Sequence, residues 1–520
     1  MKQLFRIYVV LAIVSIASCK KDLLTETPLD RIGADYIVST EAGLNAGVTG
    51  LYNLMRSVNF PGGTDAPILA DALFRVGTDL GLARVTVDLM YDPNRYNPNG
   101  AFPHKWTALY SIVERCNLII AAAPDIEMDQ TKKDVLIAQV MAFRAETYMS
   151  LLTIYGNIVF KTEPTTADNI KSIDYTPADP AKVWALINGD LDFAISKLDW
   201  AVPAGRYGQG VVRHLRGIAA MWQSDWQTAV NQFDAIVNNG THGLVALNQV
   251  FTGSRNNKES LYTYQFNQGL GGSNTLAGGG STAYTSFFTC RYYELSTGEM
   301  IPETKYGSTT FGWAFPNDYL QSLYDQVNDK RYTTYYYDLN GYIVNNPAKA
   351  NFGQPLPVSS REDNFRRWHW SLRKFHDDTK PASSDLAYPN YIKYRFAETL
   401  LFGAEAHWRL SNSSTDAKAL QYINMIRQRA YGDNLHNYTS ITLDNYLDEH
   451  AREMAFEGSR WFLLKRLGPT EFCTRISAHF EAGSFSGNIT HRNVKPYMMN
   501  FPIPQSQIDL MGTFPQNQGY

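Results

Sequence analysis

From Thr40 onward, apolar positions recur with the period of a helix. Leu44, Val48, Leu51, Leu54 and Met55 fall three and four apart behind Thr40-Glu41, which offers a capping hydroxyl and an acid for the first turn. The same period returns in Trp106, Leu109, Tyr110, Val113 and Leu118, then over residues 131–155 and 182–199. Two shorter segments, 211–222 and 225–238, flank the tight Ser224-Asp225 turn, so Ala219-Ala220-Met221 would face Ala229-Val230-Phe233 across a hairpin. Residues 390–410 and 416–430 predict another hairpin, in which Ala397, Ala404 and Ala406 let the helices approach closely. Repeated antiparallel helix pairs of this kind resemble tetratricopeptide architecture, although their irregular spacing does not predict a continuous solenoid.

Two stretches break the pattern. Residues 57–103 carry Pro61-Gly62-Gly63, Pro67, Pro93, Pro98 and Gly100 and predict a long loop. Residues 255–389 begin glycine-rich at 269–280 and continue as short Tyr- and Phe-rich runs between turns such as Asn340-Gly341, predicting short strands and loops. The expected class is therefore mostly α: a helical region 35–254 containing the long loop, an irregular insertion 255–389, and a second helical region 390–520.

The first residues read differently. Met1-Lys2 and Arg6 precede an apolar run, Ile7 to Ile16, which ends in Ala17-Ser18-Cys19. A run this short cannot span a bilayer as a helix, which needs roughly 20 residues. It predicts a secretory signal over residues 1–18, with Cys19 left as the acceptor of a lipid anchor. An ordinary secretory signal followed by an incidental cysteine is the competing reading. Acyl chains on Cys19, at about 0.8 kcal/mol for each buried CH₂, would hold the chain on a membrane. Residues 19–34 then form a polar, aperiodic tether.

Charge excludes one class of partner. The chain has 47 basic and 50 acidic residues, and removing Lys2 and Arg6 with the leader leaves 45 against 50. That mild acidity gives nucleic acid no bulk attraction. Beyond Cys19 only Cys116, Cys290 and Cys473 remain, with neither a disulfide framework nor zinc spacing, and Cys116 sits in an apolar stretch as a small core residue. The unusual count is aromatic: 32 Tyr, 26 Phe and 10 Trp. Such rings join an apolar face to a polar edge and suit a wet, adhesive surface.

The most specific text lies toward the carboxyl end: Tyr394-Arg395-Phe396-Ala397-Glu398 with Ala404-Glu405-Ala406, then Arg452-Glu453-Met454-Ala455-Phe456-Glu457-Gly458-Ser459-Arg460-Trp461. Phe501-Pro502-Ile503-Pro504 and the closing Gln516 to Tyr520 follow, while Cys19-Lys20-Lys21-Asp22 and Phe143-Arg144-Ala145-Glu146 stand nearer the start. Taken together these motifs resemble the SusD/RagB family of outer-membrane lipoproteins of Bacteroidetes. The resemblance implies four tetratricopeptide-like hairpins supporting a ligand-binding region. It also implies a SusC-like TonB-dependent transporter as partner, over which the protein sits as a lid. Lys20-Lys21-Asp22 resembles the family's export signal, with two lysines where that signal is acidic. The expected function is capture of an oligosaccharide at the cell surface, without catalysis, cofactor or metal. The same architecture binding peptide or another nutrient is the alternative.

A glycoside hydrolase is the remaining rival, since Glu453 and Glu457, four apart, would share a helical face. Arg452, Arg460, Lys465 and Arg466 crowd that segment, however, and would keep both acids ionised, whereas a general acid needs a raised pKa. Glu398 and Glu405, beside Arg395 and Arg409, meet the same objection. No metalloprotease or P-loop motif is present, and Gly279 to Ala283 falls one glycine short of a nucleophile elbow. Sugar rings pack their C–H faces on aromatic planes. The family places ligands on the first loop and the insertion, which here offer Asp79, Tyr91, Asn94, Arg95, Tyr96 and Asn97, then Tyr292, Tyr293 and Trp313. Trp368 and Trp370 would share one face if their segment is extended.

Overall fold

A computed structural model of the chain describes residues 39–59, 73–83, 91, 93, 96–100, 103–267, 284–362, 364, 366–478 and 493–520. The expected leader, Cys19, the expected tether, Asn94, Arg95 and the glycine-rich run 269–280 lie outside them.

Several of the long helices start where a short polar side chain replaces a missing backbone partner. Helix α1 (Glu41–Asn59) is capped by Thr40, whose hydroxyl accepts from the Gly43 amide at 3.0 Å, and it buries Leu44, Val48, Leu51 and Met55. Helix α2 (Pro103–Ala122) follows, then α3 (Gln130–Tyr155), capped by Asp129. Helix α4 (Pro180–Lys197) begins with Asp179 as cap and proline in its first turn. Helices α5 (Gln209–Trp222) and α6 (Trp226–Asn239) form the expected hairpin. Beyond the insertion come α7 (Phe396–Ser411), α8 (Ala417–Tyr431), α9 (Leu443–Met454), α10 (Arg460–Leu467) and α11 (Pro469–Ala478).

The helices pack as a row of successive neighbours from α1 to α6. Helix α7 then packs on α6 and α8 on α7, so the insertion is spliced between adjacent members of the row without interrupting it. Glycine permits the closest approaches. A Cβ on Gly217 would lie 2.5 Å from the Phe233 ring, and one on Gly403 would lie 2.9 Å from Tyr422. Ala220, Met221, Ala229, Val230 and Phe233 share a cluster with Phe402 and Ala406, as the hairpin pattern predicts.

Two expectations change, over residues 391–395 and at Glu453 and Glu457, and one helix invites a second reading. Helix α3 is long and apolar enough to cross a membrane by composition, but 67 % of its most apolar stretch is buried in the protein. Its Arg144 pairs with Asp190 of α4 at 2.8 Å. Residues 391–395 are not helical. They form strand β4 (Tyr391–Arg395), antiparallel to β2 (Ser260–Tyr264), because the run Tyr-Ile-Lys-Tyr-Arg favours a pleated, half-buried surface. Finally, Glu453 and Glu457 do not share a helix. Helix α9 ends at Met454, Ala455 is extended, and Phe456 takes φ +65.

Strand β1 (Gly81–Ala83) belongs to the first long loop and pairs antiparallel with β3 (Ala314–Pro316) of the insertion, with Leu82 opposite Phe315. The insertion also has a small core of its own, built around Cys290, Tyr292, Tyr306, Tyr342 and Trp368, separate from the main core.

Candidate functional site

The pairing of β1 with β3 carries the first loop onto the insertion. Asp79, fully buried, holds that junction. Its two carboxylate oxygens accept from Arg460 of α10 at 2.9 and 2.6 Å, its backbone carbonyl accepts from the Asn317 side chain at 2.8 Å, and the Asn317 amide donates to Leu80 at 3.1 Å. A bidentate guanidinium fork fixes orientation as well as position. Asp79 is thus a latch inside the protein.

Immediately before β3 the chain from Phe311 to Trp313 runs beside residues 286–289. The Phe311 amide donates to Ser286 at 2.7 Å, Gly312 to Thr289 at 3.0 Å and Trp313 to Phe287 at 3.0 Å. Gly312 holds φ +57, and a Cβ there would lie 2.7 Å from the Arg366 carbonyl, so only glycine lets the strand pass. Phe311 and Trp313, two apart and both half-buried, stack at 4.8 Å and 28°, and the Trp313 ring meets the Phe287 edge at 4.5 Å. Tyr293 lies alongside, half-buried, its hydroxyl donating to Thr310 at 2.9 Å. Arg291 donates to the same carbonyl at 3.0 Å and pairs with Glu294. The result is a half-exposed aromatic shelf edged by a guanidinium and a carboxylate. Such a surface can stack a ring and exchange hydrogen bonds with its substituents.

Trp313 and Tyr293 therefore stand where the sequence places a candidate site. Most of the other candidates are packed inside. Tyr91 and Tyr96 are buried and stack at 5.8 Å, their hydroxyls donating to Gly77 at 2.6 Å and Met498 at 2.8 Å. Tyr292 is buried in the insertion's core with its hydroxyl between Glu303 and Ser308. Because each hydroxyl finds a backbone carbonyl, the whole ring can leave water. Asn97 is half-buried and spent on its own turn, donating to Pro93 at 3.1 Å and accepting from Asn99 at 2.9 Å. Trp368 and Trp370 do not share a face, since the chain turns at 366–369. Trp368 joins the insertion's core, whereas Trp370 stacks on Tyr336 at 3.7 Å in the main core. Phe311, Phe287 and Arg291 were missed, although Phe311-Gly312-Trp313 carries the two-residue spacing of an exposed strand face.

The paired carboxylates sit elsewhere, in a buried network. Glu453 accepts from Arg395 at 2.7 Å, Arg429 at 2.5 Å, Arg331 at 3.1 Å and the Tyr335 hydroxyl at 2.9 Å. Glu457 is held by Arg395 and Lys374, each at 2.7 Å. Burial opposes ionisation of Glu453, but Arg429, Arg395, Arg331 and Lys374 outweigh it and hold the carboxyl well below its usual range. Glu449, likewise buried, is brought down to about 2 by Arg331, Arg452 and Arg427. The expected network is present with different members. Arg452 serves Glu449, Arg460 serves Asp79 and Arg466 serves Glu405, while Glu398 meets His214. Among the described residues Lys465 has only neutral partners, Asn500 among them at 2.8 Å. Among the described residues no group of three or more His, Cys, Asp or Glu is placed to hold a metal.

The fold built from this helical row and its spliced insertion superposes on those of SusD-like proteins. A laminarin-binding SusD-like protein superposes with TM-score 0.69 at 21 % identity, over 93 % of this chain and 100 % of that one. Surface glycan-binding protein A from Bacteroides fluxus superposes with TM-score 0.71 at 19 % identity, with the same coverage of 93 % and 100 %. In sequence, SusD-like protein P2 of Formosa agariphila is 25 % identical over 89 % of this chain and 90 % of its own. The SusD family profile (SusD_RagB) matches residues 247–520, more than half of the chain. The protein belongs to the SusD family.

Proposed function

We propose that the protein captures an oligosaccharide at the cell surface and makes or breaks no bond in it. The observation that carries this reading is the half-exposed shelf of Phe311 and Trp313 with Tyr293 and Arg291 at its edge. Two of the similar proteins are named for binding laminarin and surface glycans, which supports the same class of ligand here. Anchorage to the outer membrane through acylated Cys19, and action as a lid over a SusC-like TonB-dependent transporter, complete the proposal. Both rest on the signal pattern and the family.

Catalysis by the carboxylate pair is disfavoured on chemical grounds. A general acid must hold its proton near neutral pH, and Glu453 and Glu457 are both held below the usual carboxylate range among buried cations. Removing the Trp313 ring takes away one stacking contact and its apolar area. Together these are worth roughly 2 kcal/mol, or about thirtyfold in Kd. Calorimetry against laminarin, starch and a peptide panel tests the reading. Glycan binding weakened by Trp313→Ala supports it, and binding to peptides with none to glycans overturns the ligand class. Recovery of a barrel of TonB-dependent type with the protein from native membranes tests the lid. Recovery of the free monomer alone refutes that part.

A further inference from the structure

A cavity of about 190 Å³ lies among α3, α5, α7 and α10, and none of its lining residues belongs to the aromatic shelf. Its floor includes the buried side chains of Met149, Met221 and Phe402. Its mouth includes half-buried Ser150, Trp222 and Phe462, so it opens to the surface. An apolar cavity of about 150 Å³ admits benzene. This one has room for such a ring with a short substituent.

One polar group in its wall is incompletely used. Glu398 is 4 % exposed and lines the cavity. Its Oε2 meets His214 Nε2 at 3.2 Å, while Oε1 accepts no hydrogen bond among the described residues. The other charges in the wall have both signs. Lys393 pairs with Glu146, Arg466 with Glu405, and Glu457 with Lys374 and Arg395. Arg75 donates to the Phe456 carbonyl at 3.0 Å, and Lys105 to Val58 at 3.2 Å. An ammonium would meet four cations and a carboxylate three anions. A neutral donor meets neither objection. With Glu398 Oε1 the unused carboxylate oxygen among the described residues of a mainly apolar wall, a polyhydroxylated ring would leave hydroxyls unpaired, at a cost.

We propose that this cavity binds a small neutral alcohol with an apolar ring, its hydroxyl donating to Glu398 and its ring packed against Trp222, Phe402 and Phe462. This site does not rest on the glycan reading. Calorimetry of the full chain with benzyl alcohol tests it, with toluene, benzylamine, benzoate and methyl glucoside as comparisons. Benzyl alcohol binds saturably at one site. Toluene, which lacks the donor to a charged acceptor, binds on the order of tenfold more weakly, and the two charged analogues more weakly still. Glu398→Met brings benzyl alcohol down to the level of toluene, and Ser150→Trp, on a half-buried helix position, blocks the mouth and abolishes both. If Glu398→Met does not fold, the toluene comparison and Ser150→Trp still decide. Absence of saturable benzyl alcohol binding, equal binding of toluene, or full binding by Ser150→Trp overturns the site. Methyl glucoside binding as tightly as benzyl alcohol overturns the apolar ring and makes the cavity a sugar subsite.

Discussion

Glu453→Gln is the substitution whose consequence follows most directly from the geometry. The wild-type carboxylate is fully buried and accepts from three guanidinium groups and one phenol. Glutamine preserves the shape but removes the charge and turns one oxygen into a donor, which must then face another donor. Three buried guanidiniums lose a shared counter-charge. Removing one partner of a buried ion pair costs about 3–5 kcal/mol, because the charge left behind cannot be rehydrated. With a urea m-value of about 3 kcal/mol/M, that lowers the unfolding midpoint by roughly 1–1.7 M. The control is Glu362→Gln, which breaks a pair with Arg367 whose side chain is 39 % exposed. Exposed pairs of this kind are worth about 1 kcal/mol or less. Arg429 shares Glu453, so Arg429→Met with Glu453→Gln costs less than the two separately. A loss below about 1 kcal/mol for Glu453→Gln would refute the view that this network holds α9 to β4 and the insertion.

The acid side of the stability profile follows from the same residues. Glu449 titrates near 2 and Glu453 lower than its usual value in the folded chain, against about 4.3 unfolded, so their stabilisation is complete above that unfolded value. It is lost as pH falls from about 4.3 toward 2, and a flat urea midpoint across that window contradicts the assignment. Lys465 acts in a higher window, with the same direction of slope. Burial pushes it down to about 7, so the unfolded chain holds the extra proton and stability rises from pH 7 to about 10.4. Lys465→Met flattens that slope. Asp79→Asn breaks the fork to Arg460 and loosens β1 from β3, seen as faster proteolysis around residues 73–100 with weakened glycan binding; unchanged proteolysis contradicts the latch. Gly312→Ala forces a Cβ against the Arg366 carbonyl, and affinity for glycan falls about as far as in Trp313→Ala, with the main melting transition kept.

Helices were legible in the chain because their information is local. A repeated apolar stripe and a capping Thr, Asp or Pro operate within one or two turns, and α1, α3, α4, α5, α6 and α8 start within two residues of where those signals stand. Residues 391–395 mislead because a short apolar run fits strand and helix alike, and β2, far earlier in the chain at 260–264, decides between them. The aromatic candidates show the limit most clearly. Composition marks Tyr91, Tyr96, Tyr292, Trp313 and Trp370 as similar residues, yet four are buried and one lies on the shelf. Whether a ring meets water depends on which backbone carbonyl or neighbouring ring lies across from it. Local sequence thus determined the helical scaffold and the crowding of opposite charges near Glu453. Which charges met, which loop closed on the insertion and which rings stayed wet were decided by contacts between residues far apart in the chain, because burial and ion pairing are properties of neighbours in space.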